Sequence, residues 1–100
     1  MNVVARRSLY CLDEKSKRVE LTIFSPQQTE PNGDFRCLVE VRSGSVVLDS
    51  SNAIGVDSLA ALQMALSMSK TLIKNINQKD YRGRLRWLDD GVTDIGFDEP

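Results

Sequence analysis

Between residues 55 and 78 the chain carries one long amphipathic stretch, and any fold it adopts must offer that stretch an apolar surface. From residue 59 to residue 76 there is neither Pro nor Gly, so nothing breaks a helical hydrogen-bond ladder. At about 100° per residue, Ala61, Leu62, Ala65, Leu66, Met68, Leu72, Ile73 and Ile76 fall in one arc. Gln63, Ser67, Lys70, Lys74 and Asn77 form the opposite stripe. Asp57 or Ser58 can serve as N-cap, its oxygen accepting from an orphaned N–H of the first turn. Lys70 and Lys74 lie towards the C-terminal end, where positive charge complements the helix dipole. Ser69 interrupts the arc, and its hydroxyl either returns to the Ala65 carbonyl or faces a small gap. A helix of this length spans roughly 30 Å. It cannot bury its face alone.

The partner surface has to come from the segments before it, which alternate with a period of two. Residues 3–12 place Ala5, Leu9 and Cys11 on one face, and the polar run 13–16 reads as a hairpin turn. Residues 18–24 set Val19, Leu21 and Ile23 against Glu20 and Thr22. Ser25-Pro26 ends that strand, and residues 27–34 read as a loop rich in turn formers. Residues 35–42 set Phe35, Cys37, Val39 and Val41 against Arg36, Leu38, Glu40 and Arg42. Ser43-Gly44 turns the chain into a weaker strand over 45–51, with Val46 and Leu48 on one face. Short turns forbid parallel neighbours. The expected fold is therefore α+β: a four-stranded antiparallel meander, one long helix packed on one face, and a C-terminal extended segment. A sheet of this width outspans one helix. Leu85, Trp87, Leu88, Ile95 and Phe97 are expected to cover the remainder, with room for a short strand over 85–88 and with Trp87 largely buried.

One hundred residues beginning at Met are expected to form a single domain, 1–100. A chain of this size buries roughly 60–70% of its unfolded surface, enough for one core without staples. Apolar content of 41% and charged content of 27% fit a soluble globular protein. A net charge of −1 gives no general attraction to nucleic acid or to acidic membranes. No signal-peptide run and no stretch of transmembrane length occurs, so the expected location is cytoplasmic, with no membrane and no nucleic-acid partner. Lys79, Arg82, Arg84 and Arg86 cluster after the helix, and Asp89, Asp90, Asp94, Asp98 and Glu99 follow. Such neighbours read as a solvated surface with internal pairing. Cys11 and Cys37 have no Cys-x-x-Cys spacing, which favours two reduced, half-buried thiols over a disulfide. The chain has no His, which removes the commonest general base and the commonest zinc ligand. Neither a cofactor nor a metal is expected.

Two motifs bear on function. Gly55-Val56-Asp57-Ser58-Leu59 resembles the Asp-Ser-Leu motif of acyl and peptidyl carrier proteins, in which the Ser at a helix N-terminus bears a phosphopantetheine arm. That likeness would map the role onto Ser58. Against it, residues 17–51 read as strands rather than a preceding helix, and no acidic residue occurs between Asp57 and Asp80. Asp-Ser before an apolar run is also what a helix cap looks like.

The same start, extended through Ala61-Leu62-Gln63 and Ala65-Leu66, occurs with a later Gly83-Arg84-Leu85-Arg86-Trp87-Leu88 and a closing Asp94-Ile95-Gly96-Phe97. This combination resembles a family of small bacterial proteins of about this length, carried as a domain of unknown function. The resemblance implies a bacterial, soluble α+β domain and supplies no activity. The resulting expectation is a small non-enzymatic binding or protein-interaction domain, of accessory or immunity type, with a protein partner or a second copy. Val4, Tyr10, Leu38 and Val47 fall on the strand face opposite the inward set. Tyr10, Leu38 and Val47, among Arg36, Glu40 and Arg42, make the expected interaction face. The competing class is a small enzyme using Glu20, Glu40 or Asp57 with Arg36 or Arg42, although a cross-strand salt-bridge ladder explains that spacing too.

Overall fold

Alternation becomes a sheet through two tight hairpins. The computed structural model describes residues 1–88 and 95–97. Val3–Cys11 (β1) turns directly into Glu14–Phe24 (β2), so the polar run after Asp13 is already strand and the hairpin is tighter than its composition suggests. Phe35–Ser43 (β4) turns at Gly44, in a left-handed conformation, into Val46–Gly55 (β5). Gln27–Gln28 (β3) pairs with the first two residues of β4, and Leu85–Arg86 (β6) pairs with the end of β1. Among the described residues the sheet therefore has six strands rather than the expected four, all paired antiparallel. Across its width the order is β5-β4-β2-β1-β6, with β3 beside the start of β4. The two additions are two residues long. A piece that short has no period to read.

The helix, Ser58–Tyr81 (α1), runs three residues past the expected end. Its cap is Asp57, whose Oδ1 accepts from the Ala60 N–H at 2.7 Å. Gly55 allows the entry, because a Cβ there would fall on the backbone of Ala60 and Ala61. Ser69, fully buried, donates its hydroxyl to the Ala65 carbonyl at 2.7 Å, so the polar atom in the apolar arc is satisfied. At the other end Arg82 and Gly83 both take left-handed conformations, and the Gly83 N–H closes on the Asn77 carbonyl. The Asn77 side chain then accepts from the Leu85 N–H at 2.9 Å, and the Leu12 N–H donates to the Arg84 carbonyl at 2.8 Å. One helix terminus thus aims β6 at the edge of β1.

α1 lies over β4 and β5 and barely reaches β2. Leu9, Val19, Leu21, Ile23, Cys37, Val39 and Val41, all on the expected inward face, are buried, and Ala61, Ala65, Ile73 and Ile76 meet them from the helix. Small Ala61 and Ala65 near the start of the helix and larger Ile73 and Ile76 near its end are all buried there. Because the helix sits to one side, Leu66 of the expected apolar arc stays 52% exposed. Leu85, on β6 beside Cys11, and Ile95 join the same core. Trp87 departs from expectation: it is 37% exposed at the rim, whereas Leu85, two residues earlier, is fully buried. Cys11 and Cys37 are free, buried thiols on β1 and β4, separated by β2. The Cys37 thiol donates to the Phe24 carbonyl at 3.0 Å.

Of the basic cluster after the helix, Arg84 and Arg86 are engaged internally. Arg84 holds Asp13 at 2.7 Å and the Tyr81 carbonyl at 2.9 Å, tying the β1–β2 turn to the helix end, and Arg86 donates to the Gly83 and Leu85 carbonyls. The acidic positions Asp89, Asp90, Asp94, Asp98 and Glu99 lie outside the described residues. Among the described residues no helix is long and apolar enough to cross a membrane.

Candidate functional site

Sheet register decides which outward residues become neighbours. On the face away from α1, Glu40 pairs with Thr22 on one side and Ser50 on the other, and Arg42 pairs with Glu20 and Val47. Leu38 pairs with Asn52, and Arg36 with Ile54. Continuing the β2–β4 register by one residue from the Ile23–Val39 pair places Phe24 beside Leu38, and Phe24 pairs in turn with Val3. An apolar row, Val3-Phe24-Leu38, therefore crosses three strands on the outer face, with Ile54 diagonal to Leu38.

Of the residues expected on this face, Arg36, Leu38 and Glu40 sit together along β4. Val47 is two rows away, opposite Arg42, with Glu40 between it and Leu38. Tyr10 is elsewhere. It lies between Arg18 and Arg86 at the β6 edge, is buried, and donates its hydroxyl to the Leu88 carbonyl at 3.1 Å. Lys15 and Arg18 each lie 5.8 Å from its ring. Val4 falls in a register shift between Val3 and Ala5, so its alternation is interrupted. Leu38 thus keeps its place, but its apolar neighbours are Phe24, Val3 and Ile54 rather than Tyr10 and Val47. Phe24 was legible, since it stands in the outward phase of Thr22.

The carboxylates available to an enzyme reading are engaged. Glu20 pairs with Arg6 across the β1–β2 ladder at 3.2 Å, Glu40 pairs with Arg42 two residues along its own strand, and Asp57 caps the helix. The two ion pairs are solvent-facing and individually weak. Ser58 is the exposed first residue of α1, reached from strand β5. These surroundings are those of a capped helix on a sheet, unlike the helical bundle that the carrier likeness would require.

A second feature lies on the opposite side, where α1 leaves β1 and β2 uncovered. A cleft of about 280 Å³ has Ala5, Leu21 and Ile23 as its floor, Leu66 and Ser69 on the helix side, and Arg6, Arg7, Gly96 and Phe97 completing its wall. Arg7 shares the inward phase of Ala5 and Leu9, so the strand itself turns a guanidinium to the core side. That group stacks 3.8 Å from the Trp87 ring centre and 5.0 Å from that of Phe97, and its Nη1 donates to the Gly96 carbonyl at 2.6 Å. Burial holds its pKa below the ordinary arginine value. Gly96 is required there on two counts. Its φ is +81°, and a Cβ would strike the Trp87 indole. Composition did not flag Arg7, because one Arg on an inward strand position becomes visible only once the strand's phase is known.

Residues 5–99 match the model of a family described as a domain of unknown function, DUF6968. No curated protein and no solved structure matches the chain.

Proposed function

The chain belongs to the DUF6968 family, whose description assigns no activity, and on that premise we propose a non-enzymatic interaction domain that meets a protein through the outer face of its sheet. The observation that carries this reading is the row Val3-Phe24-Leu38 across three adjacent strands, on a face that no other described element covers. Val3 and Ile54 are exposed there, and Phe24 and Leu38 are half-buried. Arg36, Glu40 and Arg42 rim the row, which gives the apolar centre and polar border of a modest interface.

A second copy of the chain is the partner the face fits first. Arg36 and Glu40 flank Leu38 on the same strand, so a two-fold contact centred on Leu38 would set each charge against its opposite. The chain acts as one domain, 1–100, in the cytoplasm, in an accessory or immunity-type role. Leu38→Lys tests the reading, because this position points away from the core. Sedimentation of the wild-type chain should give association that strengthens with concentration, and the variant should stay folded by circular dichroism yet remain monomeric. A wild-type chain that stays monomeric at high concentration, and retains no host protein that Leu38→Lys fails to retain, would remove the basis for the proposal.

A further inference from the structure

The cleft beneath Trp87 is separate from the outer face and has its own chemistry. We propose that it binds a small monocarboxylate with a compact apolar body, the carboxylate on the Arg7 guanidinium and the body over Ala5, Leu21 and Ile23. Arg6, Arg42 and Arg84 each have a carboxylate partner at the surface. Arg7, which is half-buried, has none among the described residues, and its only hydrogen bond there goes to the Gly96 carbonyl. A guanidinium carries five N–H donors in a planar fork, and among the described residues one of them is engaged. The two aromatic rings beside it answer part of its charge and restrict the fork's orientation, which lowers the ordering cost of a bidentate contact.

The anion's class follows from what surrounds the fork. Ser69 is the other polar side chain on the helix wall, and its hydroxyl proton is committed to the Ala65 carbonyl. Arg6 also lines the cleft, but its guanidinium is paired with Glu20, and the one remaining planar fork suits the two oxygens of a carboxylate better than the three of a phosphate. Below the fork the floor is apolar, with Leu21 and Ile23 buried, Ala5 at its exposed edge and Leu66 at the mouth. A volume of about 280 Å³ is at the small end of ligand sites. It admits a branched-chain or single-ring acid and little more. A larger hollow of about 600 Å³ between β5 and the last turns of α1 is lined by Asp49, Lys79 and Asp80, charges of both signs with no such focus.

Trp87 is the only tryptophan in the chain, so its indole N–H resonance reports on the Arg7 stack at the edge of the cleft. Titrations of the ¹⁵N-labelled chain with benzoate, benzamide, acetate and inorganic phosphate separate the contributions. Benzoate should move the Trp87 and Gly96 signals saturably, and should bind about tenfold to a hundredfold tighter than benzamide, the range of a charge-assisted contact. Acetate should bind more weakly than benzoate for want of the apolar body. Arg7→Gln should erase the preference for acid over amide. Should that variant fail to fold, Ala5→Leu, which fills the floor and leaves the stack in place, should abolish benzoate binding. Benzamide binding as well as benzoate, phosphate binding more tightly than benzoate, or benzoate shifting the Ala5→Leu protein as it shifts the wild type would each overturn the assignment.

Discussion

Leu85 and Trp87 stand two residues apart, and size and hydrophobicity single out the tryptophan as the anchor of the C-terminal segment. Its place in the fold reverses that order. Leu85 is fully enclosed, so Leu85→Ala loses about 2 kcal/mol of transfer free energy and leaves a sealed void of roughly 80 Å³. At about 24 cal/mol per Å³ that void costs up to roughly 2 kcal/mol more, giving about 3–4 kcal/mol in all. Trp87 is 37% exposed and lies at the rim, so water fills the space that Trp87→Ala opens and no cavity term arises. The loss is then roughly 100 Å² of apolar contact at about 25 cal/mol per Å², some of which a compact unfolded chain also retains, or about 2 kcal/mol with the Arg7 stack included. Urea unfolding followed by far-ultraviolet circular dichroism reads both variants without depending on the indole. A Trp87→Ala loss equal to or larger than that of Leu85→Ala would refute the reasoning. So would native fluorescence that acrylamide cannot quench, since that would mean a sealed ring.

Asp57→Ala should cost about 1 kcal/mol through loss of the helix cap, while the intact mass of Ser58→Ala should differ from wild type by the substitution alone; a phosphopantetheine adduct on the wild-type protein would revive the carrier reading. Gly96→Ala should lower the unfolding midpoint and shift the Trp87 indole resonance, because the new Cβ meets both a left-handed backbone and the ring. Burial pushes the Cys37 thiol above its ordinary pKa, so the unfolded chain releases that proton first and stability falls as pH rises past about 8.5. Cys37→Val should flatten that alkaline decline in a urea series, and a thiol reagent should label the native wild-type chain far more slowly than the unfolded one. If the chain is one domain, its thermal unfolding should be a single transition that near- and far-ultraviolet circular dichroism report alike.

How much of this was legible depended on whether a feature is local. The cap at Asp57, the Ser69 back-bond and the inward set from Leu9 to Val41 follow from spacing along one segment, and each is where the pattern places it. Grouping across strands is different. Alternation assigns Tyr10, Leu38 and Val47 to one face but says nothing about rows, which depend on register and bulges. The register shift near Val41 puts Val47 opposite Arg42, and the β6 pairing removes Tyr10 from the open surface. The helix arc likewise predicted burial for Leu66 because the pattern cannot say which strands the helix lies over. Gln27–Gln28 and Leu85–Arg86 owe their strand geometry to partners far away in sequence rather than to their own composition.

The pairing of Tyr10 with Arg86 and Cys11 with Leu85 has a consequence for synthesis. β1 leaves the ribosome before every other strand of its sheet, and it can fold against β2 at once, because their turn is tight. Its other edge has to wait. β6 emerges only after the whole of α1, and the Asn77 side chain that receives Leu85 becomes available only when the helix has closed around it. Until then the nascent hairpin presents the edge of β1 with Tyr10 and Cys11 also unpaired on that side, the kind of edge that recruits strands from other chains. Arg6 and Arg7, adjacent in the middle of that strand, put two positive charges on it during the interval, one on each face. The same arginine that later faces the cleft can keep the growing polypeptide from pairing with its neighbours on the polysome.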